Sequence, residues 1–145
     1  MRLTVQAAPK EHWGWLAIRS GCIFTADFQA IEAVDSRGAV RGMVGYERFS
    51  PNSVMAHMAV AHPIAWRELL RPAFFYPFVQ RGLGLMLAAV PSTNWRSLGF
   101  VERVGFRETY RIRDGHAVGV DTVLHEMRRE ECRWIGPHEG LQKAS

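Results

Sequence analysis

The run LGLMLAAV at residues 83–90 carries no polar side chain, and Arg81-Gly82 and Pro91-Ser92 bracket it at the length of a strand rather than a helix. A strand without polar alternation has no face to offer to water, so it belongs in the middle of a sheet covered on both sides. The remaining chain must therefore supply both neighbouring strands and covering helices. Candidates are present in order. A strand over residues 3–8 leads through Pro9 to an amphipathic helix over 10–21, with Trp13, Leu16 and Ala17 on one face and Gly21 as its stop. Strands over 30–35, 40–50 and 53–61 follow, joined by turns at Ser36-Arg37-Gly38 and Pro51-Asn52, as an antiparallel meander. A helix over 64–80 must accommodate Pro72 and Pro77. After the apolar strand, Ser92 or Thr93 is the expected N-cap of a helix over 94–104 that stops at Gly105. Strands over 106–113 and 118–129 then form a hairpin about Asp114-Gly115. This order predicts an α/β (α+β) fold: a mixed, mostly antiparallel sheet of six to seven strands flanked by three to four helices.

At 145 residues, a core can form without disulfide or metal. One domain is expected over residues 1–135, with a loose tail over 136–145 where Gly136, Pro137 and Gly140 gather. Cys22 and Cys132 form no C-x-x-C pair and the six histidines show no zinc spacing, so reduced thiols and no metal are expected. No apolar run approaches the roughly 20 residues of a membrane span, and MRLTVQAAPKEH has no signal-peptide core, which points to a cytoplasmic protein with no membrane partner.

The charge balance is +4, and sixteen of the eighteen basic residues are arginine. Arginine forks suit carboxylates and phosphates, so an anionic ligand fits. Strand alternation predicts that Arg107, Arg111 and Arg113 share one sheet face. No helix-turn-helix, zinc-finger or aromatic RNA-binding pattern accompanies them, and nucleic acid is not the expected partner.

Asn94, Ser97 three residues on, Gly105-Phe106 at the helix end, Asp121, and a final apolar strand with Met127 form a pattern that resembles the GNAT superfamily of acyl-CoA-dependent N-acetyltransferases. The likeness is nearest to the branch with the ribosomal-protein and amino-acid N-acetyltransferases. It is strongest over residues 83–129 and weaker over 30–63. The resemblance implies a GNAT-like sheet splayed between strands 4 and 5, with acetyl-CoA as co-substrate in the gap. The backbone at Met58 and Val60 would bond the pantetheine arm as an added strand would. A primary amine, on a small molecule, a protein N-terminus or a lysine, would attack the thioester directly, without a metal. Members often dimerise through their last strands, so a homodimer is compatible.

Departures from the pattern decide the candidate residues. No glycine lies between Gly45 and Gly82, so the usual glycine nest for the pyrophosphate is missing. Arg67 and Arg71, four apart on one helix face, are the substitutes by charge. Where many members carry a tyrosine acid this chain has Val101, which leaves Ser97, with Asn94, as the group facing the leaving thiolate and the cofactor. The fourth strand holds no carboxylate; His57 is the first choice for general base, Glu47 the second and Glu32 the third. Residues 10–28 and 49–53 occupy the acceptor side, where Trp13, Trp15, Phe24 and Phe28 are aromatic. The alternative is a catalytically inactive GNAT-fold binding or regulatory module.

Overall fold

The computed structural model describes residues 1–136, so residues 137–145 of the expected tail lie outside it. Seven strands form one sheet in the order β1-β2-β3-β4-β5-β7-β6. They are β1 (Thr4–Ala7), β2 (Gln29–Val34), β3 (Val40–Glu47), β4 (Ser53–Val60), β5 (Leu85–Pro91), β6 (Arg107–Ala117) and β7 (Val120–Arg128). All neighbours are antiparallel except β4 and β5. Three helices flank the sheet: α1 (Trp13–Ser20), α2 (Ile64–Phe75) and α3 (Trp95–Val104). This is the mixed, mostly antiparallel α/β architecture that the residue pattern predicts.

The two sheet faces are unequal. One packs Val44, Tyr46, Val54 and Ala56 against Leu69, Ala73 and Phe74 of α2, and continues to Val101 and Val104 of α3. The opposite face buries Leu16 of α1 with Phe28, Ala30 and Met43. There α1 packs chiefly on β3 and β4, and its end, at Arg19 and Ser20, faces residues 88–91 of β5 across a cavity. The central strand is therefore covered on one face only: Met86, Ala88 and Val90 are buried, whereas Leu85 and Leu87 are half-buried and Ala89 is exposed. The apolar run does occupy an interior strand; it is the second covering layer that stops short.

Both prolines of the second helix are accommodated. Pro72 sits inside α2, and the chain continues past Phe75 into a π-helical turn, Tyr76–Gln80. Pro77 has no N–H to offer the carbonyl four residues earlier, which is that of Ala73. The Tyr46 hydroxyl fills the position, donating to Ala73 O at 2.6 Å from a fully buried ring. One phenol thus satisfies a carbonyl that proline leaves over and fixes α2 to β3.

Three local expectations are corrected. The N-cap of α3 is Asn94, whose side chain accepts from Ser97 N–H, not Ser92 or Thr93. The hairpin turns at Val118-Gly119, with Ala117 opposite Val120 and Gly119 at φ 81°, rather than at Asp114-Gly115. Asp114 instead takes a left-handed conformation, φ 54°, within an irregular stretch between Ile112 and Ala117, where its carboxylate accepts from Gly119 N–H. A second bulge at Thr109 reverses the alternation of β6. Arg107 lies opposite Glu126 and Arg111 opposite Val123, so the two occupy different faces.

Replacing Tyr46 with Phe keeps the ring but leaves the Ala73 carbonyl buried without its donor. The substitution is expected to cost about 1–3 kcal/mol, read from the urea midpoint at unchanged m.

Candidate active site

β4 and β5 pair only through Ser53–Leu85, Val54–Met86 and Met55–Leu87. Beyond that point β4 stays with β3 as far as Val60, and β5 stays with β7 as far as Pro91. The two strands diverge, and the sheet opens into a notch. A cavity of about 100 Å³ fills it, between Ala56, His57 and Met58 on β4, Ala88–Pro91 on β5, and Asn94, Ser97 and Val101 on α3. At about 30 Å³ per water this is room for roughly three waters, the scale of a reacting acyl group rather than of a whole cofactor.

His57 lies opposite Gly45 in the register and Glu47 opposite Met55, so both side chains project on the α1 face. His57 Nε2 stands 3.6 Å from Glu47 Oε2, too long for a hydrogen bond, and Nε2 has no other partner. Arg48 Nε holds the second carboxylate oxygen at 2.9 Å. Burial pushes the His57 imidazole below its ordinary value; Glu47 pulls it back up and Arg48 adds to the lowering, with burial prevailing. The imidazole is thus neutral near pH 7, with a nitrogen lone pair available. Glu32, the third choice, is remote from this pair in the fold: it lies on β2, fully buried, where His12 Nδ1 and Gln6 Nε2 each meet its carboxylate at 2.7 Å.

Across the notch, the Asn94 cap occupies only Oδ1, and Asn94 Nδ2 and Ser97 Oγ make no hydrogen bond among the described residues. Val101 lies on the notch lining, where it offers no hydroxyl. Met58 and Val60 both line a wider groove of about 600 Å³ that runs on from the notch between α2 and α3. Trp66 of α2 stacks on Phe100 of α3 at 4.1 Å between ring centroids and 26° between planes, forming its wall.

The α2 N-terminus is closed to a phosphate. Ile64 N–H donates to His62 Nδ1, Ala65 N–H to His62 O and Trp66 N–H to Pro63 O, so the donors that a glycine nest would present are used locally. Arg67 is exposed, with no ion pair among the described residues, but lines neither cavity; Arg71 turns to Trp134 O and the Phe75 ring. The arginines that do line the groove are Arg19, Arg96 and Arg103. Sequence reasoning missed them, although Arg96, Phe100 and Arg103 fall at i, i+4 and i+7, one face of α3. Of the predicted residues, the fold brings together His57, Glu47, Met58, Val60, Asn94 and Ser97 and leaves Arg67 and Arg71 outside.

No protein-family model matches the sequence, and no curated protein sequence matches it. Similarity appears at the level of solved structures. The spermidine/spermine N-acetyltransferase of Vibrio cholerae in complex with manganese ions superposes with a TM-score of 0.73 at 14% identity, over 89% of this chain and 94% of that one. The spermidine N-acetyltransferase of the same organism in complex with CoA and spermine gives 0.72 at 13% identity, over 89% and 96%. Its dodecameric form in an intermediate state gives 0.70 at 15% identity, over 88% and 94%. These enzymes share the GNAT fold, and the splay between β4 and β5 is common to it. The ribosomal-protein-type branch that the sequence pattern resembles is not among the structures named.

Because the folded His57 titrates below its unfolded value, the unfolded chain takes up the proton first. His57 therefore contributes full stability above the ordinary imidazole value of about 6.5, and that contribution is lost as pH falls below it. Thermal melts from pH 8 to pH 5 are expected to show a decline that His57→Gln flattens.

Proposed function

With the fold of the acyl-CoA acetyltransferases as premise, we propose that residues 1–135 act as one N-acetyltransferase domain, moving an acetyl group from acetyl-CoA to a primary amine. The observation that carries this is the notch itself. It opens through the sheet, with a neutral imidazole and a carboxylate on one face and unpartnered Asn94 and Ser97 groups on the other. The acceptor amine enters from the α1 face, where β5 is thinly covered, and gives its proton to the His57 imidazole. Its lone pair attacks the thioester carbon, the new N–C bond forms, and backbone N–H groups on the free edge of β4 receive the developing oxyanion. The C–S bond breaks as the attacking nitrogen's remaining extra proton passes to the leaving sulfur, which Ser97 Oγ steadies by donating a hydrogen bond. Glu47 attracts the cationic acceptor and raises the proton affinity of the imidazole beside it. This route assigns no step to a metal.

Phosphate recognition falls to side-chain charge. Arg19, Arg96 and Arg103 along the groove replace the backbone nest that Pro63 and His62 close. The like fold of a polyamine acetyltransferase bound to CoA and spermine supports both substrate classes, and a small polyamine is the first acceptor to try. No helix among the described residues is long and apolar enough to cross a membrane.

Calorimetric titration with acetyl-CoA is expected to give saturable micromolar binding. Its absence at millimolar ligand would refute the enzyme reading and leave a non-catalytic module. His57→Ala is expected to lower kcat about 10²–10⁴-fold at nearly unchanged acetyl-CoA affinity, and to remove the acidic limb of the pH–rate profile below about pH 6.5. Separately, Arg96→Ala and Arg103→Ala are each expected to raise KM for acetyl-CoA about tenfold while sparing KM for acetyl-pantetheine, which has no nucleotide phosphates. Equal effects on both thioesters would remove the phosphate role.

A further inference from the structure

One cluster of ligating side chains has no part in acyl transfer. His125 of β7 is wholly buried on the sheet face that α3 covers, and neither Nδ1 nor Nε2 has a hydrogen-bond partner. Glu102 from α3 and Glu108 from β6 stand beside it, with one ligating atom from each of the three residues within 4.8 Å of the others. The register explains the meeting: Glu108 lies directly opposite His125, and the turn at Gly105 carries the end of α3 back over this pair. No motif spacing announces it, because the residues come from three elements. A fold rarely buries an imidazole with both nitrogens unsatisfied, and here the nearby carboxylates do not serve as its acceptors. One imidazole nitrogen with two carboxylate oxygens around a common point is instead a donor set for a first-row divalent cation.

We propose that Glu102, Glu108 and His125 form a binding site for a divalent transition-metal cation, with zinc the best fit, which ties α3 to the β6–β7 hairpin. Donors around a tetrahedral ion with bonds of about 2.0–2.2 Å stand roughly 3.4 Å apart, so the cluster must contract by about 1 Å. The parts are suited to that movement: packing fixes His125, while the two glutamates are exposed. One competitor is present. Arg111 holds both oxygens of Glu108, through Nε and a terminal nitrogen at 3.1 Å each, and must release at least one. The site is separate from the notch, although β5 lies next to it, with Ala88 opposite His125. A bound ion would therefore hold the helix that carries Asn94 and Ser97 without touching the transferred group. The proposal stands whether or not the chain transfers acetyl groups.

The full chain, first stripped with a chelator, is titrated with zinc sulfate by calorimetry and followed by thermal melting. One equivalent is expected to bind with micromolar or tighter affinity and to raise Tm. Glu102→Gln and Glu108→Gln, both at exposed positions, should each weaken binding by about tenfold or more, as loss of a ligand does. Arg111→Ala should tighten it, because it frees Glu108; a structural salt-bridge role alone would not produce that change. Cobalt in place of zinc should give an intense visible absorption that His125→Gln abolishes. The proposal is overturned by no saturable binding up to about 1 mM zinc. It is overturned equally by stoichiometric binding that Glu102→Gln and Glu108→Gln leave unchanged, which would place the ion on other histidines or thiols.

Discussion

β4 and β5 share three residue pairs and then part, because each is committed along its length to a different neighbour. A strand has two edges, and the meander holds one edge of β4 while the C-terminal hairpin holds one edge of β5. The edges they turn toward each other are left with backbone groups that the sheet does not satisfy, which folds seldom leave buried without another partner. Every other feature of the notch follows from that parting. His57 reaches it from the meander side with Glu47 beside it on the neighbouring strand, Asn94 and Ser97 from the helix that leaves β5, and Trp66 and Phe100 wall the groove beyond.

The unequal covering of the sheet gives this opening a direction. Helices α2 and α3 bury one face, while α1 packs chiefly on β3 and β4 and leaves Ala89 exposed. A molecule arriving from the thinly covered side meets the imidazole and carboxylate first. One arriving along the groove between α2 and α3 meets arginines, two of them laid on aromatic rings: Arg19 on Trp15 at 3.8 Å and Arg96 on Trp95 at 5.7 Å.

Much of this was legible in the chain. Apolar periodicity located all seven strands and three helices, and Gly21 and Gly105 ended helices where backbone geometry requires glycine, at φ 74° and 124°. His57, Asn94 and Ser97 were readable because each lies within the element that positions it. What escaped detection depended on partners distant in sequence. Asp114-Gly115 looks like a two-residue turn, but the ladder resumes beyond it and closes at Gly119, since Asp114 can adopt a left-handed conformation inside a bulge. Burial of β5 was overestimated because a strand does not reveal how far a helix from another part of the chain extends. The arginines expected to stand in for the glycine nest lie on α2, whereas those that line the groove belong to α1 and α3. Glu102, Glu108 and His125 gave no signal at all until the register placed them together.

The outermost strand, β6, is exposed along its whole length, and strands of that kind recruit other chains through their free backbone edge. Its two bulges interrupt the regular spacing that such recruitment needs and put Arg107 and Arg111 on opposite faces, where they pair with Glu126 and Glu108. The arginine-rich end of this chain, which first suggests a surface for a partner, is therefore built to discourage strand-to-strand growth.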